Sequence, residues 1–159
     1  MTGDAAAAVL RRAEPDDAPA VRALTRDAYA KWIAVIGREP RPMLADPAAA
    51  IRDHRVDLLL VDDALAGLIE TIEKPDHLLI ESVAVAPGMQ GRGHGRRLLA
   101  HAEDLALRQG HAELRLYTNA AFATNVALYR RCGYGVVLEE PFLGGTTVHM
   151  SKMLARTIG

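Results

Sequence analysis

Cysteine occurs once in this chain of 159 residues, at Cys132, and tryptophan once, at Trp32. A lone cysteine makes no internal disulfide and no cysteine-based zinc site, and it suits a reducing compartment, so a cytoplasmic location is expected. The six histidines show no ligand spacing such as H-E-x-x-H, so no metal is expected. Long apolar runs are also missing. None approaches the roughly 20 uncharged residues of a membrane helix, and no membrane partner is expected. The opening MTGDAAAAVL has no basic n-region and is interrupted by Asp4, which argues against a secretory signal. Nor is there an excess of cations: 19 Lys and Arg face 20 Asp and Glu, for a net charge of -1. That balance gives no general attraction to polyanions, and no nucleic-acid partner is expected.

What is present is ordinary globular composition, 50% hydrophobic and 25% charged. The length predicts one domain over 1–159 with a core of its own. VLRRAEPDD reads as a short strand and a turn. APAVRALTRDAYAKWIAVI carries Val21, Leu24, Ala28 and Trp32 at helical spacing and ends at Gly37. REPRPM reads as a proline-rich loop, and Asp46-Pro47 as an N-cap with proline at N1 opening a short helix through Ile51. VDLLLV, ALAGLIETIE and HLLIESVAVA read as consecutive strands, joined by turns at Asp62-Asp63 and KPDH. Leu98, Leu99, Ala102, Leu105 and Ala106 make one apolar stripe, so Arg96 to Arg108 is expected to be an amphipathic helix stopped by Gly110. AELRLYT reads as a strand and Thr124 to Cys132 as a helix closed by Gly133. YGVVLEE and TVHMSKML read as two final strands. Helices mixed with mostly consecutive strands imply an α/β or α+β domain around one sheet.

The most informative stretch is VAVAPGMQGRGHGRRLL, residues 83–99. Glycines let backbone N–H groups approach a ligand closely, and successive N–H groups ahead of a helix form an anion-binding concavity. Arg96 and Arg97 stand where the helix macrodipole is already positive, at a cost of a few tenths to about 1 kcal/mol each. Arg92 and His94 add to that crowd, and a multiply charged anion would resolve the conflict. A Walker A loop would need Gly-Lys-Ser/Thr, which is absent. A G-x-G-x-x-G dinucleotide fingerprint would need glycine where Arg96 stands.

QGRGHG instead matches Q/R-x-x-G-x-G/A, and with ESVAVAP before it and NVALYRRCGY after it the chain resembles the GNAT-type N-acetyltransferase superfamily. The resemblance runs through a strand, loop and helix at 78–108 and a following strand and helix at 112–135. It implies a single GNAT-like domain, a mixed central sheet of about six to seven strands with helices on both faces. It also implies acetyl-CoA as co-substrate. Gln90, Gly91, Arg92, Gly93, His94, Gly95 and Arg96 would hold the pyrophosphate, and the backbone of Val83, Ala84 and Val85 would pair with the pantetheine arm as an added strand.

Acetyl transfer to an amine requires a deprotonated amine, donors for the oxyanion and a proton for the departing thiolate. Asn125 and Tyr129 lie four apart on one predicted helix and so share a face. Tyr129, a phenol of ordinary pKa about 10, matches the family's acid; a core position with its hydroxyl at the surface is the other reading. The resemblance places Asn125 beside the cofactor arm. Glu81 matches a position where some relatives carry a base, acting directly or through water, and others carry a substrate contact. In a regular strand Glu81 would share a face with Val83 and Val85, and a bulge would re-aim it. His149 and Cys132 read as structural.

The acceptor, in this fold, enters opposite the cofactor, which points to Tyr29, Trp32, Met43 within GREPRPM, and the PFLGG loop. Arg38 and Arg41 are either contacts for an acceptor carboxylate or phosphate or ordinary loop charges. The resemblance therefore implies an N-acetyltransferase acting on a small-molecule or peptide amine in a ternary complex. The alternative is a GNAT-like acyl-CoA sensor without transfer. Homodimers through the final strands are common in the family.

Overall fold

The computed structural model describes residues 7–154. Its seven strands are β1 (Ala8–Arg12), β2 (Arg55–Val61), β3 (Ala64–Glu73), β4 (Leu78–Val85), β5 (Glu113–Asn119), β6 (Gly135–Phe142) and β7 (Gly145–Met153). They form one sheet in the order β1-β2-β3-β4-β5-β7-β6. Each neighbouring pair is antiparallel except β4 and β5, which run parallel. The connection between that pair is α5 (His94–Arg108), whose Leu98, Leu99 and Ala102 are buried against Leu59, Ile69 and Leu114 of the sheet. The C-terminal helix α6 (Ala123–Arg131) contributes Tyr129 to the same core. The opposite face is covered by α1 (Ala18–Tyr29) and three short helices, α2 (Ile33–Ile36), α3 (Arg41–Leu44) and α4 (Pro47–Asp53). The expected mixed sheet with helices on both faces is therefore present.

Two expectations are corrected. The first helix does not run unbroken to Gly37. A 3₁₀ turn over Ala30–Trp32 separates α1 from α2. Residues three apart eclipse in that geometry, and Tyr29 and Trp32 both reach Phe122. Trp32 stacks on that ring at 4.9 Å and Tyr29 meets it edge-on at 6.2 Å. REPRPM is not all loop either. Pro42 falls in the first turn of α3, where its missing N–H would have had no helical partner. The Asp46 cap is formed as expected, its carboxylate accepting from the Ala48 and Ala49 amides at 3.0 and 3.4 Å.

The sheet opens where the parallel strands part. β4 and β5 are in register from Leu78–Leu114 to Ile80–Leu116 and no further. Beyond that point β4 continues to Val85 and β5 to Asn119 without each other. A bulge accompanies the parting. Glu70 of β3 faces Ser82 and Thr71 faces Ile80, so Glu81 is the extra residue. Its effect is visible in the core, because Ile80 and Val83, three apart, both pack on the α5 side.

Candidate active site

Two cavities flank the parted strands. One, of about 640 Å³, runs along the end of β4, the glycine loop and the start of α5, with α6 as its other wall. Val83, Ala84, Val85, Gln90, Gly91, Gly93, His94, Gly95, Arg96, Asn125 and Tyr129 all line it. The residues selected for the cofactor thus converge here, with one exception. Arg92 does not line the groove; it is exposed and its guanidinium lies 3.8 Å from the Met89 sulfur. Gly93 sits at φ +85° and serves as the N-cap of α5, which therefore begins at His94, two residues earlier than expected. The first-turn amides of α5 are thereby carried into the loop itself. Gly95 packs closely on α6: a Cβ there would lie 2.9 Å from Leu128 Cδ2, so that side chain would have to shift.

The exposed edge of β4 carries its own markers. The Tyr29 hydroxyl donates to the Val83 carbonyl at 3.1 Å, and Gln90 Nε2 donates to the Val85 carbonyl at 3.1 Å. The Ala84 carbonyl instead approaches Gly67 of β3, so Ala84 contributes wall and not a free edge. Lys31, which the sequence reading did not select, donates to Gln90 Oε1 at 3.0 Å across this groove. Among the described residues lining the groove, Lys31, His94, Arg96 and Arg131 are basic and none is acidic.

The second cavity, of about 540 Å³, lies on the α1–α4 side and takes in Tyr29, Met43, Glu70, Glu81 and Tyr117. Tyr29, Val83 and Tyr129 line both cavities and form the junction between them. Trp32 lines neither. It is 8% exposed, stacked on Phe122, and belongs to the core; an acceptor contact is not what its position offers. At the junction, burial pushes the Tyr129 phenol far above its ordinary value, reinforced by the neighbouring Tyr29 and Tyr134 phenols. Tyr129 therefore stays protonated as a hydrogen-bond donor. Burial likewise raises the Tyr29 phenol to about 12.

Glu81, re-aimed by the bulge, accepts a hydrogen bond from the Tyr117 hydroxyl at 2.8 Å. Burial, and then that bond to Glu81, raises the Tyr117 phenol to about 12. Glu70 stands beside them on β3 and meets His54 Nδ1 at 2.6 Å. Burial raises the Glu70 carboxyl above its usual value, partly opposed by His54. Sequence reasoning passed over Glu70, His54 and Tyr117. The alternation of β3, with Leu68 and Glu70 on one face, carried a signal for the first. His149 is held by Glu140 and stands 5.9 Å from the Tyr117 ring, in keeping with a structural role. Among the described residues no three His, Cys, Asp or Glu side chains are grouped to hold a metal ion.

A model of the acetyltransferase (GNAT) family matches residues 19–134, and the chain belongs to that family. Over 70 residues it is 42% identical to streptothricin acetyltransferase of Streptomyces lavendulae, a match covering 43% of this chain and 37% of that protein. Over 76 residues it is 36% identical to the [ribosomal protein bS18]-alanine N-acetyltransferase of Salmonella typhimurium, covering 48% and 51%. The matches thus span well under two thirds of these relatives' length. The fold is that of the PaiA N-acetyltransferase of Thermoplasma acidophilum, solved with coenzyme A. The TM-score is 0.78 at 18% identity, over 92% of this chain and 99% of that one.

Proposed function

We propose that the chain is an N-acetyltransferase that moves an acetyl group from acetyl-CoA to an amine while both are bound. The observation that carries this reading is the junction: one basic, glycine-walled groove and one cavity with carboxylates meet at Tyr129. Acetyl-CoA, when bound, supplies the acetyl group as an activated thioester.

The residues fit such a group. The positive φ of Gly91 and Gly93 and the first-turn amides of α5 suit a pyrophosphate. The basic residues of the lining, with no acid among them, suit its charge, and the anion explains why Arg96 is tolerated at a helix start. The β4 edge, released from β5 after Ile80, offers backbone that no neighbouring strand covers to an extended amide-bearing arm. Gln90 and Tyr29 already mark two of its carbonyls and would hold that edge in place.

On the other side, Glu81 receives the ammonium proton of the acceptor, directly or through a water, with Tyr117 fixing the carboxylate by its 2.8 Å bond. Tyr129 donates its phenolic proton toward the sulfur that departs, and burial keeps that proton in place beforehand. Asn125, one turn earlier on α6, lines the groove beside it and orients the arm. Thiol release from acetyl-CoA over an amine panel tests the reading. Amine-dependent release supports it, and cofactor binding with no release over the whole panel favours an acyl-CoA sensor instead.

A further inference from the structure

Two guanidinium groups share one ring at the acceptor cavity. Arg38 Cζ lies 5.6 Å and Arg41 Cζ 5.7 Å from the centroid of Phe142, near the turn between β6 and β7. All three side chains line the same cavity as Glu81. The two arginines flank Pro40 on the segment that leads from Gly37 into α3, and Arg41 is exposed while Arg38 is half-buried. The acid between them in sequence, Glu39, is already held by Arg26 at 3.0 Å. Among the described residues neither Arg38 nor Arg41 pairs with a carboxylate.

The acids of the cavity are accounted for elsewhere. Glu81 takes the Tyr117 hydroxyl, Glu70 takes His54, Asp46 caps α4 and Asp53 is held by Arg52. The cavity thus sets the carboxylates of β3 and β4 against two arginines of the 38–41 segment that have no carboxylate partner among the described residues, and Arg22 of α1 adds a further such cation to its lining. Arg38, Arg41, Tyr117 and Glu81 line one cavity of about 540 Å³, small enough for one molecule to reach both regions. Each guanidinium lies within cation–π reach of Phe142, and its planar fork is the geometry that receives carboxylate or phosphate in bidentate fashion. A polycation would meet repulsion at the same place.

We infer that the acceptor is an amine that also carries an anionic group, a carboxylate or a phosphate, received by Arg38 and Arg41 while the amine lies at Glu81. The inference rests on the acetyl-transfer reading of this site. The full chain, saturated with CoA, is titrated calorimetrically with amino acids, aminoalkyl phosphates, the corresponding amides and alcohols, and spermidine. At least one anionic amine is expected to bind about tenfold or more tightly than its neutral counterpart, as loss of a charge-assisted bidentate contact implies. Whether the amino-acid or the phosphate arm shows the preference identifies the anion. In the Arg38→Gln/Arg41→Gln variant the preference collapses toward one, while stabilisation by acetyl-CoA is retained. The Arg38→Lys/Arg41→Lys variant, which keeps the charge and loses the fork, is expected to fall between. Absence of any preference in the wild-type chain, spermidine binding more tightly than every anionic amine, or a preference indifferent to both variants overturns the inference and leaves acetyl transfer standing. Absence of stabilisation by acetyl-CoA in the wild-type chain overturns the acetyl-transfer reading itself.

Discussion

Glu81 and Tyr117 are the first residues beyond the last parallel pair, Ile80 with Leu116, and their side chains bond at 2.8 Å across the place where the two strands part. The backbone ladder between β4 and β5 is thus replaced at its end by a single side-chain bond. It ties a carboxylate of the 540 Å³ cavity to the opening between the strands, where the cofactor arm would enter. Losing it should cost activity more than stability. Tyr117→Phe is expected to lower kcat/KM about tenfold, in line with a hydrogen bond to a charged group. Glu81→Gln is expected to lower it further, and steady-state kinetics on both variants checks the order.

Tyr129→Phe separates catalysis from binding. A general acid typically contributes about 10²–10⁴-fold, so kcat should fall by that order while acetyl-CoA still stabilises the variant. Normal turnover would remove the assignment.

Because burial raises the Tyr129 phenol, its donor form persists as pH rises. The pH–rate profile of the wild-type chain should therefore show no alkaline fall from this group at or below about pH 10, the ordinary phenol value. A fall near pH 8 that vanishes in Tyr129→Phe would contradict the raised value.

Acid stability has a separate origin in the Arg11–Asp17 pair, which ties β1 to the entry of α1. The Arg11 bond, aided by the Glu14 amide, lowers the Asp17 carboxyl from 3.8 to about 2. A depressed carboxyl contributes stability above its unfolded pKa and loses it as pH falls through the folded one. The urea midpoints of wild type and Asp17→Asn should differ at pH 6 and converge between pH 3.8 and about 2.

Glycine positions in the loop are predicted to be unequal. Gly93→Ala would force an L side chain to φ +85°, a strain of about 1–2 kcal/mol, and should weaken acetyl-CoA stabilisation. Gly88 has open space around it and no positive φ, so Gly88→Ala should behave as wild type. Isothermal titration with acetyl-CoA distinguishes the two.

Much of this was legible in the sequence because local rules agreed with the fold. The Leu98–Ala106 stripe, the Asp46 cap and the stops at Gly37 and Gly110 are signals of one or two turns, and each is realised. The geometry of the glycine loop was legible for the same reason, since the positive φ of Gly91 and Gly93 is a property of contiguous backbone. What escaped depends on register between distant strands. Glu70 and Tyr117 come to Glu81 only through the β3–β4 bulge and the parting of β4 from β5, and no window of sequence contains both. Trp32 was assigned to the acceptor by the resemblance, whereas its place on the apolar stripe with Val21, Leu24 and Ala28 already fitted the core position it holds against Phe122. Lys31 reaches Gln90 across 59 residues, which spacing alone does not reveal.

The most direct test is thermal unfolding of the chain with acetyl-CoA, dephospho-CoA, NAD and ATP in parallel. A ligand at about 100 times its Kd adds roughly 2.7 kcal/mol, enough to raise Tm by several degrees. The account predicts a clear rise with acetyl-CoA, a smaller one with dephospho-CoA and none with NAD or ATP. No rise with acetyl-CoA, or an equal rise with ATP, would contradict the assignment of the glycine loop and of the transfer built on it.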